Sequence, residues 1–294
     1  MPFWNTVIDA ASVAETIGSS DLTIVDCRHS LADFSLGKRL YDAGHLPGAF
    51  FADVEYDLAG KKTGSNGRHP LPDPDEFAAF LRGLGVNDDT QIVAYDAGAD
   101  MFAARFWFLC RWIGHEAVAV LDGGYPGWAN GGYPVSTQAH TPVREGNLVA
   151  RVRDEMVVDT GFVSARLDSG EMQLLDARGA DRFAGQNETV DPIPGHIPGA
   201  RNRWFKHNYN DDGSWKSPDT LRAEFVELDL DPASVVHQCG SGVSAAVNEL
   251  AKHQARSDVT APAPETGVWP SSGVTPLIIE GSQAPHLGVW GPGD

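Results

Sequence analysis

Short apolar runs of strand length alternate along this chain with stretches whose apolar residues recur at helical spacing. Leu22-Thr23-Ile24-Val25, Gln91-Ile92-Val93-Ala94, Ala117 to Leu121, Met172 to Leu175 and Ala233 to Val236 are continuous rather than alternating. Such runs predict strands buried on both faces of a sheet. Asp75 to Leu84, Pro218 to Leu228 and a stretch beginning near Val243 read as helices. Strands that take turns with helices predict α/β domains, each a mainly parallel sheet flanked by helices.

The signals occur twice in the same order. Leu22 to Arg28, ending Asp26-Cys27-Arg28, is followed by Ala43-Gly44-His45-Leu46-Pro47-Gly48-Ala49. Met172 to Arg178, ending Asp176-Ala177-Arg178, is followed by Pro194-Gly195-His196-Ile197-Pro198-Gly199-Ala200. A helix and a second buried strand follow in each half. Tyr133 to Gly146 is rich in Pro, Thr and polar residues without a period, which marks a linker. The expected division is a non-catalytic domain over 1–135, a linker over 136–150, a catalytic domain over 151–256 and an atypical tail over 257–294.

The first half closes with the run Ala117 to Leu121 and a turn at Gly123-Gly124, and the second half should close likewise. Instead Ser257-Asp258-Val259-Thr260-Ala261-Pro262 opens a Pro-, Gly- and Ser-rich tail in which Gly267-Val268-Trp269-Pro270 resembles a degraded turn. That composition predicts irregular structure and a second sheet short of one edge strand.

Chemistry concentrates where the second buried strand of each half ends. Val236-His237-Gln238-Cys239 runs into Gly240-Ser241-Gly242-Val243-Ser244 and then a helix. Small residues let successive amides turn inward as an anion-favouring nest beside a helix N-terminus. A cysteine there has its thiolate stabilised by main-chain dipoles, the environment of a sulfur nucleophile. The other half has Asp96-Ala97-Gly98-Ala99-Asp100 at the same place. A carboxylate cannot carry sulfur as a thiolate does, so one half is competent and the other a scaffold.

Composition limits the alternatives. Hydrophobic residues make up 42% and charged residues 21% of 294, with no apolar run of membrane-spanning length. The net charge of −18 opposes binding to nucleic acid or anionic membranes, and leaves any anionic substrate dependent on local arginines. The N-terminus lacks the pattern of a signal peptide. Cys27, Cys110 and Cys239 show no paired spacing, which argues against a disulfide framework or a zinc site and for a reducing cytoplasm. No metal or organic cofactor is expected, because the chain has neither a ligand cluster nor a phosphate-binding fingerprint.

Taken together, the paired Asp-x-Arg and Gly-His-x-Pro-Gly-Ala segments, Gly67-Arg68-His69-Pro70-Leu71-Pro72, Leu121-Asp122-Gly123-Gly124 and the cysteine loop resemble the tandem-domain rhodanese family. These are the thiosulfate and 3-mercaptopyruvate sulfurtransferases, and the resemblance runs from about Leu22 to about Leu250. It implies that Cys239 takes a sulfane sulfur from a small anionic donor, holds it as a persulfide and passes it to cyanide or a thiol. Gly240, Gly242, Val243 and Ser244 would contribute the loop around the donor, and Arg182 would hold its anionic group. Gly240 and Ser241 stand where thiosulfate-preferring members carry basic residues, which tilts the donor toward 3-mercaptopyruvate. Asp191 stands where mercaptopyruvate enzymes carry a second arginine, a departure from that pattern. The resemblance also implies a serine–histidine–aspartate relay, with Ser241 and His45 as its first members and Asp33 as a loose third.

Repetition supplies a check on these roles. His45 and His196 recur in matching turns of both halves, as do Arg28 and Arg178, which suits structural hydrogen bonds and braces. Arg68 and His69, in a polar Gly-rich loop, either reach the active half or are simply solvated. Cys27 and Cys110 read as packing residues. A cysteine phosphatase needs an arginine six residues after its cysteine, and here that residue is Ala245. The remaining alternative is a non-catalytic persulfide carrier or interaction module with an impaired second domain.

Overall fold

The structure, a computed structural model, describes residues 3–64, 66–142, 144–167, 169–191, 193–230 and 234–256, together with a strand at 277–279. The chain forms two compact units that are not contiguous. The first comprises Met1–Lys61, Leu71–Arg153 and Tyr209–Trp215, and the second Lys62–Pro70, Asp154–Asn208 and Lys216–Asp294. Each repeat thus keeps its strands and helices but gives the other the segment ahead of one helix.

In the first unit the elements are β1 (Val7–Ile8), α1 (Ala10–Thr16), β2 (Leu22–Asp26), α2 (Leu36–Ala43), β3 (Ala49–Phe51), α3 (Pro74–Gly83), β4 (Gln91–Tyr95), α4 (Phe102–Trp112), β5 (Val118–Leu121) and α5 (Gly124–Asn130). Its five parallel strands are ordered β1-β5-β4-β2-β3. The second unit has β6 (Val157–Val158), α6 (Thr160–Arg166), β7 (Gln173–Asp176), α7 (Ala180–Phe183), β8 (Arg201–Asn202), α8 (Pro218–Glu227), β9 (Val235–Gln238), α9 (Ala245–Arg256) and β10 (Leu277–Ile279). Its parallel order, β6-β10-β9-β7-β8, matches that of the first sheet.

The same sequence devices build both copies. Asp9 and Asp159 cap α1 and α6 by accepting the amides of Ser12 and Phe162. Proline opens α3 and α8 behind Asp73 and Ser217, whose side chains satisfy first-turn amides. One core gathers Ile8, Val13, Ile24, Leu46 and Val93, and the other Val158, Val163, Leu174, Ile197 and Val236, residue for residue in the repeat. All of α4 is buried in the first unit, so the helix shows no polar face.

The second sheet is not short of a strand. Leu277-Ile278-Ile279 lies between β9 and β6, pairing with Val236 and His237 on one side and with Val157 and Val158 on the other. The expectation rests on the polar start of the tail and passes over an apolar triplet further along, two of its residues β-branched, which completes the sheet at the position of β5. Val259 and Gly267 to Pro270 lie outside the described residues. The stretch read as a linker is strapped to the first unit, where Gly146 and Leu148 donate to the carbonyls of Arg82 and Val86. Among the described residues no helix is long and apolar enough to cross a membrane.

Candidate active site

Register determines what meets at the carboxyl end of the second sheet. Asp176, the last residue of β7, pairs with Gln238, the last of β9, so Arg178 and Cys239 leave neighbouring strands together. Asp176 is fully buried and is held by both the Gln238 amide and a forked Arg178, whose Nη2 lies 2.7 Å from its carboxylate. Arg178 Nη2 also donates to the Gly195 carbonyl at 2.6 Å, bracing the Gly-His-Ile-Pro-Gly turn. In the first unit Arg28 braces Gly44 from Asp26 in the same way, with the Tyr95 hydroxyl in place of the Gln238 amide. The recurring arginines are therefore braces. Burial pulls the Arg178 pKa down, but its bonds to Asp176 outweigh that and raise it.

Cys239 opens the loop between β9 and α9, and Gly242, at φ +77°, aims its amide at Sγ from 3.1 Å. The left-handed backbone at Gly242 is what turns that N–H back toward the sulfur. Val243 and Ser244 are buried, and their carbonyls accept the Ala246 and Val247 amides, so the helical winding starts there. Cys239 is itself buried, only 3% exposed. Burial holds Cys27 and Cys110, deep in the first unit, as thiols with pKa values well above the ordinary range.

The histidine at Ser241 is His69. Its Nδ1 lies 3.0 Å from Ser241 Oγ, and both residues are buried in the second unit. His45 does not take that place. It belongs to the first unit, stacked on Tyr41 with its ring nitrogens 2.7 and 3.0 Å from the Tyr41 and Gln138 carbonyls. His196 stacks on Phe183 and meets that residue's carbonyl at 2.8 Å, which explains why the pair recurs. Asp33 lies exposed in the first unit, held by Arg39 and Ser35.

Arg182, on α7, joins a cluster of charges over the loop. Its Nε and Nη2 donate to Glu188 at 3.0 Å each, and Nη2 also reaches Asp191 at 2.7 Å. Arg68 donates to the other Asp191 oxygen, and Arg178 lies 3.5 Å from Glu188 and 3.8 Å from Asp191. Burial pushes the Glu188 carboxyl up, but Arg182 and the amides of Asp191 and Val190 hold it below its ordinary value. The cluster presses on the loop at Gly240. A Cβ there would lie 2.6 Å from Arg68 Nη2, 2.8 Å from Asp191 Oδ2 and 3.5 Å from Arg182 Nη2. Sequence reasoning missed Glu188, which stands outside every repeated motif. It left Arg68 and His69 open, because nothing in their local pattern tells which unit they join. Among the described residues no group of histidine, cysteine and carboxylate side chains is arranged to hold a metal.

The rhodanese-like domain model matches residues 9–131 and again 160–263. The chain belongs to the rhodanese-like family. It is 39% identical over 249 residues to a probable 3-mercaptopyruvate sulfurtransferase of Pseudomonas aeruginosa, covering 83% of this chain and 87% of that one. It is 36% identical over 245 residues to the putative thiosulfate sulfurtransferase SseB of Mycobacterium tuberculosis, covering 82% and 85%. The crystal structure of SseA from Escherichia coli, a 3-mercaptopyruvate sulfotransferase, aligns with a TM-score of 0.77 at 29% identity, over 98% of this chain and 100% of that one. This member of the family is an enzyme, a sulfurtransferase.

Proposed function

We propose that the enzyme takes a sulfane sulfur from 3-mercaptopyruvate or thiosulfate onto Cys239 and hands it, as a persulfide, to cyanide or a thiol. The observation that carries this reading is the Gly242 amide donating to Cys239 Sγ at the carboxyl end of β9, with the arginine cluster beside Gly240. A main-chain donor aimed at the sulfur favours the thiolate before transfer and the terminal sulfur anion after it.

With thiosulfate, the thiolate attacks the outer sulfur and the S–S bond to the sulfonate breaks, releasing sulfite and leaving Cys–S–S⁻. With 3-mercaptopyruvate, the C–S bond breaks, the leaving enolate takes the proton of the donor's thiol, and pyruvate departs. Ser241 and His69 form a hydrogen-bonded pair suited to carry that proton. Cyanide then attacks the terminal sulfur, thiocyanate leaves and the thiolate returns. Arg182 would hold the carboxylate or sulfonate of the donor by parallel hydrogen bonds. That neither Gly240 nor Ser241 is itself a basic residue supports 3-mercaptopyruvate as the better donor. Three free cysteines suit work in a reducing cytoplasm.

Intact mass after incubation with either donor tests the reading. One added sulfur on the wild type and none on Cys239→Ser is the expected result, followed by thiocyanate release with cyanide. Loading without turnover would make the protein a persulfide carrier. No loading from either donor would end the proposal.

A further inference from the structure

Resting on the donor-binding role of Arg182, we propose that Asp191 is a built-in occupant of the anion seat beside Cys239, which a donor must displace to bind. The geometry is that of a bound anion. One carboxylate bridges two guanidiniums, with Oδ2 at 2.7 Å from Arg182 Nη2 and Oδ1 on Arg68 Nη1, while Arg178 Nη1 stands 3.8 Å away. The Asp191 side chain is 9% exposed against 25% for Arg182 and 28% for Arg68, so the carboxylate sits beneath the cations rather than outside them. Oδ2 also stands 2.8 Å from where a Gly240 Cβ would be, next to the sulfur-bearing residue.

A donor carboxylate or sulfonate seeks the same forked donors, and two anions cannot share them at close range without repulsion. Glu188 does not play this part. Its amide contacts at Val190 and Asp191 and its two bonds to Arg182 anchor it on its own loop. Asp191 therefore sets a threshold: weakly held anions leave the seat closed, and a donor that binds Arg182 in two places opens it. The arrangement reconciles an acidic protein with an anionic substrate, since the local cations stay neutralised until one arrives.

The test separates this inference from the functional reading by measuring anion binding where no turnover occurs. In a Cys239→Ser background, Asp191→Asn is expected to bind sulfate and pyruvate about tenfold more tightly by calorimetry, because amide oxygen competes weakly for guanidinium. In active enzyme the same change lowers KM for both donors by a similar factor and leaves kcat nearly unchanged. Glu227→Gln, which removes an equal charge from the exposed end of α8, leaves both quantities unchanged. Unaltered or weaker anion binding in Asp191→Asn, or an equal gain in Glu227→Gln, overturns the proposal. If Asp191→Asn fails to fold, a crystal structure of the Cys239→Ser protein with pyruvate decides. Pyruvate on Arg182 with Asp191 swung away supports the inference, and pyruvate bound with the Asp191–Arg182 pair intact refutes it. Failure of Cys239 to take sulfur would remove the functional reading while the sulfate measurement still judged Asp191.

Discussion

Asp96 and Cys239 occupy one position in two copies of a sheet, each the first residue beyond the strand next to β2 or β7. The Asp96 carboxylate accepts amides from Gly98 and Ala103 at 3.0 Å each, and burial raises its pKa against those bonds. Cys239 Sγ accepts the Gly242 amide. Both loops thus cradle the residue at that position with main-chain N–H donors, a carboxylate in one and a sulfur in the other. The segments received from the other repeat differ likewise. Tyr209–Trp215 rests on the first loop region, with the Tyr209 hydroxyl on the Asp100 carbonyl and the Trp215 amide on Asp122, both at 2.7 Å. Lys62–Pro70 brings Arg68 and His69 to the second. What sets the second loop apart is a sulfur atom with the Ser241–His69 hydrogen bond and the Arg68 and Arg182 guanidiniums beside it.

Exchanging the two residues gives the largest effect. Cys239→Asp should fold and lose on the order of 10⁴-fold or more of its turnover, as removal of a nucleophile does. Asp96→Cys in that background should regain nothing, because the Asp26 charge acts on that position and the segment Tyr209–Trp215, unlike Lys62–Pro70, carries no histidine. Sulfur uptake at position 96, detected by intact mass, would show that the cradle alone suffices.

The braces come next, and there the two units should agree. Arg28→Met and Arg178→Met each leave a buried carboxylate uncompensated, at a cost of about 3–5 kcal/mol in denaturant unfolding. A neutral result for either would remove the brace role. His69→Gln should lower kcat with 3-mercaptopyruvate about 100-fold, and with thiosulfate much less, because sulfite leaves without a proton. Equal losses with both donors would make His69 a structural support for Ser241.

The smallest effect belongs to Asp57 in the first unit, where burial pushes the carboxyl from 3.8 up to about 6, opposed by the Asp53 amide and aided by the Asp53 charge. A raised folded pKa means that stability is full below the unfolded value of 3.8 and is lost as pH rises through about 6. Asp57→Asn should therefore gain about 1 kcal/mol at pH 7 to 8 after allowance for solvent screening, and none near pH 3. A gain that persists unchanged at pH 3 would show that charge is not its source.

Much of this was legible from the chain. Continuous apolar runs ending in small-residue loops marked β4 and β9, and the cysteine loop stood out because its counterpart carries Asp96. The helix starts read at Asp75 and Pro218 fall within one residue of those observed. What escaped is what depends on long-range placement. His69 lies in a segment whose local pattern is the same whether it is solvated or built into the second unit, so His45, from a repeated motif, stood in for it. Asp191 was visible as a departure, yet its grip on Arg182 and Arg68 follows from the fold of the loop after α7. Leu277 to Ile279 is too short for periodicity to speak, and only pairing with β6 and β9 reveals it as a strand.

The traded segments at 62–70 and 209–215 carry a consequence for the handling of the chain. Any gene fragment encoding just the later repeat omits Arg68 and His69, so it keeps Cys239 and Ser241 but loses the histidine that meets Ser241 and one of the cations beside Gly240. Neither copy can be cut away by cloning without taking from the other a segment that its own compact unit contains.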